Sequence, residues 1–445
     1  MSIARCGAVL AALLSLTLAG CGTGEDASVR LLNASAGYSA LDLYFEQGGT
    51  FGKPQIADVT SGTVSSYAQI VPKSYTAYFT SHGVAPANAL TSLKQGLSKN
   101  ETLTYVAYGD SGEFGEMAIH EDQAAPSGGY TNVEVLNADP DAGSLDVYLT
   151  SPGLSLNDAS PNFSAVKGGA TTGFAAIKSG TYELRITGTG EKSDLRFELP
   201  SITLGDQKTL SLIITETPGG YLVNVMALPQ KGSLTTYTNS DARIRAVVGL
   251  NGSVTASVGT TALLSAAPEG VIGPYELVPA GSDPVTLTVN GATVAVPDET
   301  LSSGQDYTLL IYGAPGAVQE SWLADSNIPP LSGYASVRLV NAMSGSTDPI
   351  SLSINYLPVA TDIPLGSDVP SDSPTGTSAY DTLVTATSTG VVTVTDDVTG
   401  QTLYAEPNAG DTNYATLTSG DVYTMFMFGS TTAPSGELFQ DDPVP

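Results

Sequence analysis

Thiols, imidazoles and cations are scarce in this 445-residue chain, and each scarcity removes a class of chemistry. There are two cysteines, Cys6 and Cys21, and two histidines, His82 and His120. Cys6 lies within an apolar leader and Cys21 closes it, so the expected mature chain has no thiol for disulfides, metal thiolates or thiol catalysis. A nucleophilic serine needs a histidine to take its proton, and neither His82, in FTSHGVAP, nor His120, in AIHEDQ, sits in a protease motif. Lys and Arg number 16 against 44 acidic residues, a formal charge of −28. A surface of that sign repels nucleic acid and anionic headgroups, attracts cations and suits a saline medium. Beyond the leader, no apolar run reaches the roughly 18 residues that a spanning helix needs. Phosphate loops, His-Glu-x-x-His and Gly-x-Ser-x-Gly are missing as well.

The leader is what stands out first among the features present. Residues 1–20 carry one charge, Arg5, then an apolar run over 8–18, and end in Leu18-Ala19-Gly20 before Cys21. This is a secretory signal, and Leu-Ala-Gly-Cys resembles the bacterial lipobox. The resemblance implies cleavage before Cys21 and its modification with diacylglycerol and an N-acyl chain. Several acyl chains exceed the marginal hold of one, so membrane attachment needs no spanning helix. Gly22, in place of Asp, implies sorting to the outer membrane. Loss of Arg5 leaves a charge of 15 − 44 = −29. The tether 21–27 reaches at most about 24 Å.

Three anchors recur along the remainder. The first reads VRLLNASAGYSALDLYF from Val29, VEVLNADPDAGSLDVYL from Val133, IRAVVGLNGSVTASV from Ile244 and VRLVNAMSGSTDPISLSI from Val337, at spacings of 104, 111 and 93 residues. The second starts at Tyr67, Phe174, Tyr275 and Tyr380. The third is LSKNETLTYVAYG from Leu97, LGDQKTLSLIIT from Leu204, LSSGQDYTLLIYG from Leu301 and LTSGDVYTMFMFG from Leu417. Period-two alternation, as in Leu145, Val147 and Leu149 against Asp146 and Tyr148, enrichment in Val, Ile, Thr and Tyr, and Gly turns about every ten residues predict strands. The expected fold is all-β, a tandem series of Ig-like antiparallel β-sandwiches. The expected units are a signal peptide 1–20, a lipidated tether 21–27, and sandwiches over 28–126, 130–233, 240–329 and 334–445. The chain ends LFQDDPVP at the corresponding point of the repeat, so a complete fourth unit is expected. Short proline-containing junctions at 120–130 and 324–334 predict restricted movement; four units end to end would reach roughly 130 Å. The stretch 81–96, SHGVAPANALTSLKQG, reads as a long polar loop inserted in the first unit.

The first anchor, V-R-x-x-N-A followed by L-D-V/L-Y, with later G-x-Y-x-L-x-I and L-x-x-G-x-x-Y-T, resembles a bacterial envelope family known as domain of unknown function 4397. The match lies in Val29 to Tyr44, Val133 to Tyr148 and Val337 to Ala342. The third unit departs from it, with Val248-Gly249 in place of Asn-Ala. The resemblance implies exported, often lipidated sandwich domains and no known activity.

Candidate chemistry is weak. Gly109-Asp110-Ser111-Gly112 has the letters around a chymotrypsin-like serine, but Gly109 aligns with Gly313 and Gly429, which makes it a hairpin turn. Asp122, Asp139, Asp141 and Asp325 are candidate calcium ligands, since calcium takes six to eight hard oxygens. Glu121, Asn327, Asp396, Asp397, Asp441 and Asp442 offer similar oxygens in junctions and turns. The recurring tyrosines at Tyr44, Tyr148, Tyr67, Tyr275 and Tyr380 read as packing residues, and Trp322, the single tryptophan, as a ring buried between units three and four. No catalytic residue and no cofactor is assigned. The expected function is a non-catalytic, lipid-anchored envelope protein, a spacer or binding rod on the outer membrane whose partner is an envelope protein or a polysaccharide, not nucleic acid. The alternatives are a calcium-stabilised adhesin or carbohydrate-binding protein, and a hydrolase using acidic loop residues.

Overall fold

The computed structural model describes residues 25–46, 51–110, 112–369, 382–407 and 412–441. The leader, Cys21, Ser111, Tyr380 and Asp442 lie outside the described residues.

The strands assemble four times into the same pair of sheets. In each unit a lead strand (Ala27–Asn33, Tyr130–Asn137, Asp241–Gly249, Tyr334–Asn341) lies beside a centre strand (Thr102–Tyr108, Thr209–Glu216, Asp306–Ala314, Val422–Ser430). A closing strand (Gly115–His120, Val223–Pro229, Ala317–Asp325, Ala433–Gln440) folds back on the centre strand as a hairpin. The second sheet is a four-stranded antiparallel array, in unit one Ile56–Thr60, Ala40–Phe45, Ser74–Ser81 and Thr91–Gly96. Unit two adds Thr235–Tyr237 to the edge of its first sheet. Within this all-β sandwich class one ladder departs from antiparallel pairing. Each lead strand runs parallel to its centre strand, because the whole second sheet intervenes in sequence and returns the chain in its original direction, as a parallel pair requires.

Each sandwich has its own core, drawn from the inward faces of both sheets. Val29, Leu31, Leu41, Leu43, Phe79 and Tyr105 belong to the first, and Val337, Leu339, Leu352, Val394, Met425 and Met427 to the fourth. Second-sheet strands alternate as expected: along Val254–Val258, Val254, Ala256 and Val258 are buried while Thr255 is exposed. First-sheet strands do not. Thr102–Tyr108 is buried throughout, as are the first seven residues of Val422–Ser430.

The reason is a second set of contacts on their outer faces. Leu32, Val106 and Tyr108 of unit one share a buried cluster with Leu136, Ile213 and Met226 of unit two. Val247, Leu310 and Tyr312 of unit three do the same with Val340, Phe426 and Phe428 of unit four. Units one and two, and units three and four, therefore pack face to face. This corrects the end-to-end rod expected from the junctions: apolar residues on both faces of a sheet must both be covered, and here the neighbouring unit covers the outer one. Units two and three meet at Tyr221, whose ring carries Arg196 of its own unit at 4.0 Å and Arg243 of unit three at 3.6 Å.

The stretch 81–96 is also not a loop insertion. After a short turn at Pro86–Asn88, Thr91–Gly96 alternates in burial and pairs with Ser74–Ser81, completing the second sheet.

Candidate metal centre

The recurring motif residues are engaged in the fold. The Asn that ends the lead strand is fully buried in three units and donates both amide hydrogens to carbonyls of the crossing chain. Asn33 Nδ2 reaches Tyr38 O and Val59 O at 3.1 and 3.0 Å, Asn137 reaches Gly143 O and Val166 O at 3.1 Å, and Asn341 reaches Asp348 O and Ile363 O at 3.4 and 3.1 Å. The Asp of the L-D-V/L-Y element clamps a bulge. Asp42 accepts from Asp58 N and Gly83 N, and Asp146 from Ala165 N and Gly190 N. Asp58 and Ala165 are both in the left-handed region, at φ 57° and 53°, a conformation that such capping stabilises. His82 pairs with Asp42 in the same clamp, and His120 with Glu101.

A second recurring set lies on the outer face of the first sheet, at the unit–unit junctions. In unit one, Arg30 Nε is 2.8 Å from Thr104 Oγ1, and its guanidinium pairs with Glu121 at 2.8 Å. Tyr67 lies under that guanidinium and donates its hydroxyl to Glu121. Unit three repeats this with Arg245, Thr308, Asp325 and Tyr275, and unit four with Arg338, Thr424 and Asp441. Arg30 also donates to Gly232 O of unit two at 2.7 Å. Arg245 reaches Asp441 of unit four, and Arg338 reaches Asp325 of unit three at 2.8 Å, so the two arginines exchange carboxylates across the junction. Burial alone would raise Asp325, but the charges of Arg338 and Arg245 and hydrogen bonds from Thr308 and Tyr275 hold it below the ordinary carboxylate value. In unit two the corresponding places hold Glu134, Ser211, Gln230 and Phe174, and the cationic set is missing.

Asp325 is thereby removed as a calcium ligand, because two guanidinium groups already surround it and would repel a dication. Asp441 and Glu121 are each paired with one guanidinium, of Arg245 and Arg30. Asp122 is exposed and does not belong to the group of three ligating side chains found among the described residues. Asp396 accepts backbone N–H groups from Val398 and Thr399 as an ordinary turn cap, and Asn327 donates to Asp306.

Asp139 and Asp141 are brought together, with a third residue that sequence reasoning missed. Carboxylate oxygens of Asp139, Asp141 and Glu216 all lie within 4.8 Å of one another. Glu216 is remote in sequence, but the parallel ladder places Asn137 opposite Ile214, so the loop after the lead strand falls beside the end of the centre strand. Asp110, from the hairpin of unit one, shares a hydrogen bond with Glu216. Two like charges 4.8 Å apart at an effective dielectric of 20 repel by about 3.5 kcal/mol, so without a cation the cluster holds protons. Burial and the neighbouring Asp141 push Asp139 up to about 7; burial, Glu113 and Asp110 push Asp141 up to about 6; burial and Asp110 push Glu216 up to about 9. Gly109, Gly313 and Gly429 occupy the same turn at φ 88°, 91° and 75°. A Cβ on Gly109 would collide with Glu113 O, so the Gly of GDSG is set by the tight turn that carries Asp110 toward unit two. Trp322 packs against the core of unit three itself, opposite Leu309, rather than between units three and four.

Residues 27–148 match the family model described as domain of unknown function (DUF4397). The DUF4397 match spans the first unit and the start of the second, the region that holds both copies of the L-D-V/L-Y element, Leu41 to Tyr44 and Leu145 to Tyr148. Among solved structures, a candidate cell adhesion protein from Bacteroides uniformis is 12% identical, with 45% of this chain and 99% of that chain covered and a TM-score of 0.21. A family 26 carbohydrate-binding module from Eubacterium rectale, solved in complex with maltoheptaose, is 12% identical, with 48% and 96% covered and a TM-score of 0.15. No curated protein matches the chain.

Proposed function

We propose that this chain is a non-catalytic, lipid-anchored protein of the bacterial envelope, held at the outer membrane through Cys21, that presents paired β-sandwiches to an envelope partner. The observation that carries the reading is the engagement of the repeat's own motif. Its Asn, Asp, Arg and Tyr side chains are engaged as clamps, bulge caps and junction pairs, which is the pattern of a scaffold. The lipobox-like ending of the leader supports the anchor, and the charge of the chain suits an exported, saline setting.

One feature favours partner binding over a spacer alone. The second-sheet hairpin of unit four turns through Asn355 and Tyr356 at φ 51° and 66°. Glycine is the favoured residue at the second place of such a turn, yet Tyr356 stands there 83% exposed, beside Leu357 at 69%. A strained, exposed aromatic is a platform for a flat apolar face, such as that of a sugar ring in a polysaccharide.

The anchor is tested by fractionating cells that express the chain and its Cys21→Ala variant. The proposal expects the parent in the membrane fraction and the variant released to the soluble exported fraction. A parent chain that fractionates as soluble sinks it.

A further inference from the structure

We propose that Asp139, Asp141 and Glu216 form a calcium site that clips the second sandwich to the hairpin of the first. A cluster of acids alone would not justify this, since they are common on a chain so rich in carboxylates. The second observation is Asp139 itself. It is 1% exposed, and its Oδ1 accepts the backbone N–H groups of Asp141 and Ala142 at 3.1 and 3.0 Å. Its Oδ2 is buried with no hydrogen-bond partner at all. A buried carboxylate oxygen without a donor is rare, because leaving one unpaired is costly. The two amide bonds fix the carboxylate so that Oδ2 is the oxygen left over for the cluster.

The geometry and chemistry select the ion. The cluster's oxygens lie within 4.8 Å of one another, a span that one ion bridges at the calcium–oxygen distance of about 2.3–2.6 Å on each side. Every group is a hard oxygen donor, which suits calcium and not zinc. Magnesium demands a tighter octahedron and gives up water reluctantly, so it should bind more weakly. Asp110 adds a ligand or a hydrogen-bond partner from unit one through its bond to Glu216. Leu331 lies against Gly112 of the hairpin that carries Asp110. The ion replaces the protons that the empty cluster holds and releases them to solvent, so binding draws unit one's hairpin onto unit two. The site stands independently of the anchor at Cys21.

The test uses the full mature chain, treated with chelator and dialysed, at pH 7.5. Calcium chloride is titrated in by calorimetry, and the melting temperature is read in calcium, in magnesium and in chelator. We expect one saturable site with a Kd of about 10⁻⁵–10⁻³ M and a rise in Tm of about 2 °C or more in calcium, with a smaller rise in magnesium. Glu216→Gln and Asp141→Asn, both partly exposed, should each weaken binding at least about tenfold, and Asp122→Asn should leave it unchanged. Absence of saturable heat with an unchanged Tm overturns the site. Equal calcium affinity in Glu216→Gln, Asp141→Asn and the parent also overturns it, by placing the ion elsewhere, and an equal response to magnesium overturns the choice of calcium.

Discussion

Replacing Arg338 with methionine tests the junction between units three and four. Arg338 is fully buried and lies between Asp325, at 2.8 Å, and Asp368, at 3.1 Å. In the parent, Arg245 and Arg338 face Asp325, Asp441 and Asp368. In Arg338→Met one cation faces the same three carboxylates, and Asp325 keeps only Arg245 at 3.6 Å with the Thr308 and Tyr275 hydroxyls. Breaking one member out of a buried ion network costs about 3–5 kcal/mol, because the abandoned charge cannot be solvated. The methionine fills much of the arginine's stem volume, so little of that loss comes from a cavity. Urea unfolding followed by Trp322 fluorescence is the assay, since the chain's single tryptophan packs in unit three beside this junction. The deficit should shrink as pH falls. Asp325 is held below its ordinary value in the parent, so it contributes stability above the unfolded carboxylate pKa that disappears as pH drops through the folded one. A loss below about 1 kcal/mol at pH 7 would refute the reasoning and reduce the network to a solvated surface pair.

Three further outcomes are expected. Asn137→Ala removes two donors from buried carbonyls and the acceptor for Asp139 N, and should destabilise unit two by about 2–4 kcal/mol in urea. In chelator, stability should fall as pH rises from about 4 towards 9: Asp139, Asp141 and Glu216 have folded values raised above 3.8, 3.8 and 4.5, so their contribution is full below the unfolded pKa and is lost through the folded one. A Tm profile that rises over that range, or is flat and matches that of Asp141→Asn with Glu216→Gln combined, counts against the cluster. Tyr356→Gly should stabilise its hairpin by roughly 0.5–1 kcal/mol by relieving the positive-φ turn, while lowering binding in a glycan and matrix-protein screen; undiminished binding removes Tyr356 as a platform.

Strand positions were legible because period-two alternation and Gly turns are local signals. The centre strands were legible only in part. TYVAY, LSLIIT, TLLIY and TMFMF read as strands, but their continuous apolar character is the mark of burial on both faces, and the expectation of units end to end left that mark without a partner to cover the outer face. The parallel lead–centre ladder was hidden because its partners lie some 60 to 90 residues apart and nothing local records their direction. The acidic site divides the same way. Asp139 and Asp141 sit together in NADPDAG, whereas Glu216 joins them only through that ladder and Asp110 only through unit pairing. Asp325 looked like an equivalent junction acid, and only the fold shows arginines from two units closing around it.

The most direct measurement is the intact mass of the chain's N-terminal peptide after extraction from the membrane fraction. The account predicts a peptide that begins at Cys21 and carries a diacylglyceryl group with an added N-acyl chain. A peptide that retains residues before Cys21, or one whose Cys21 is unmodified, would contradict it.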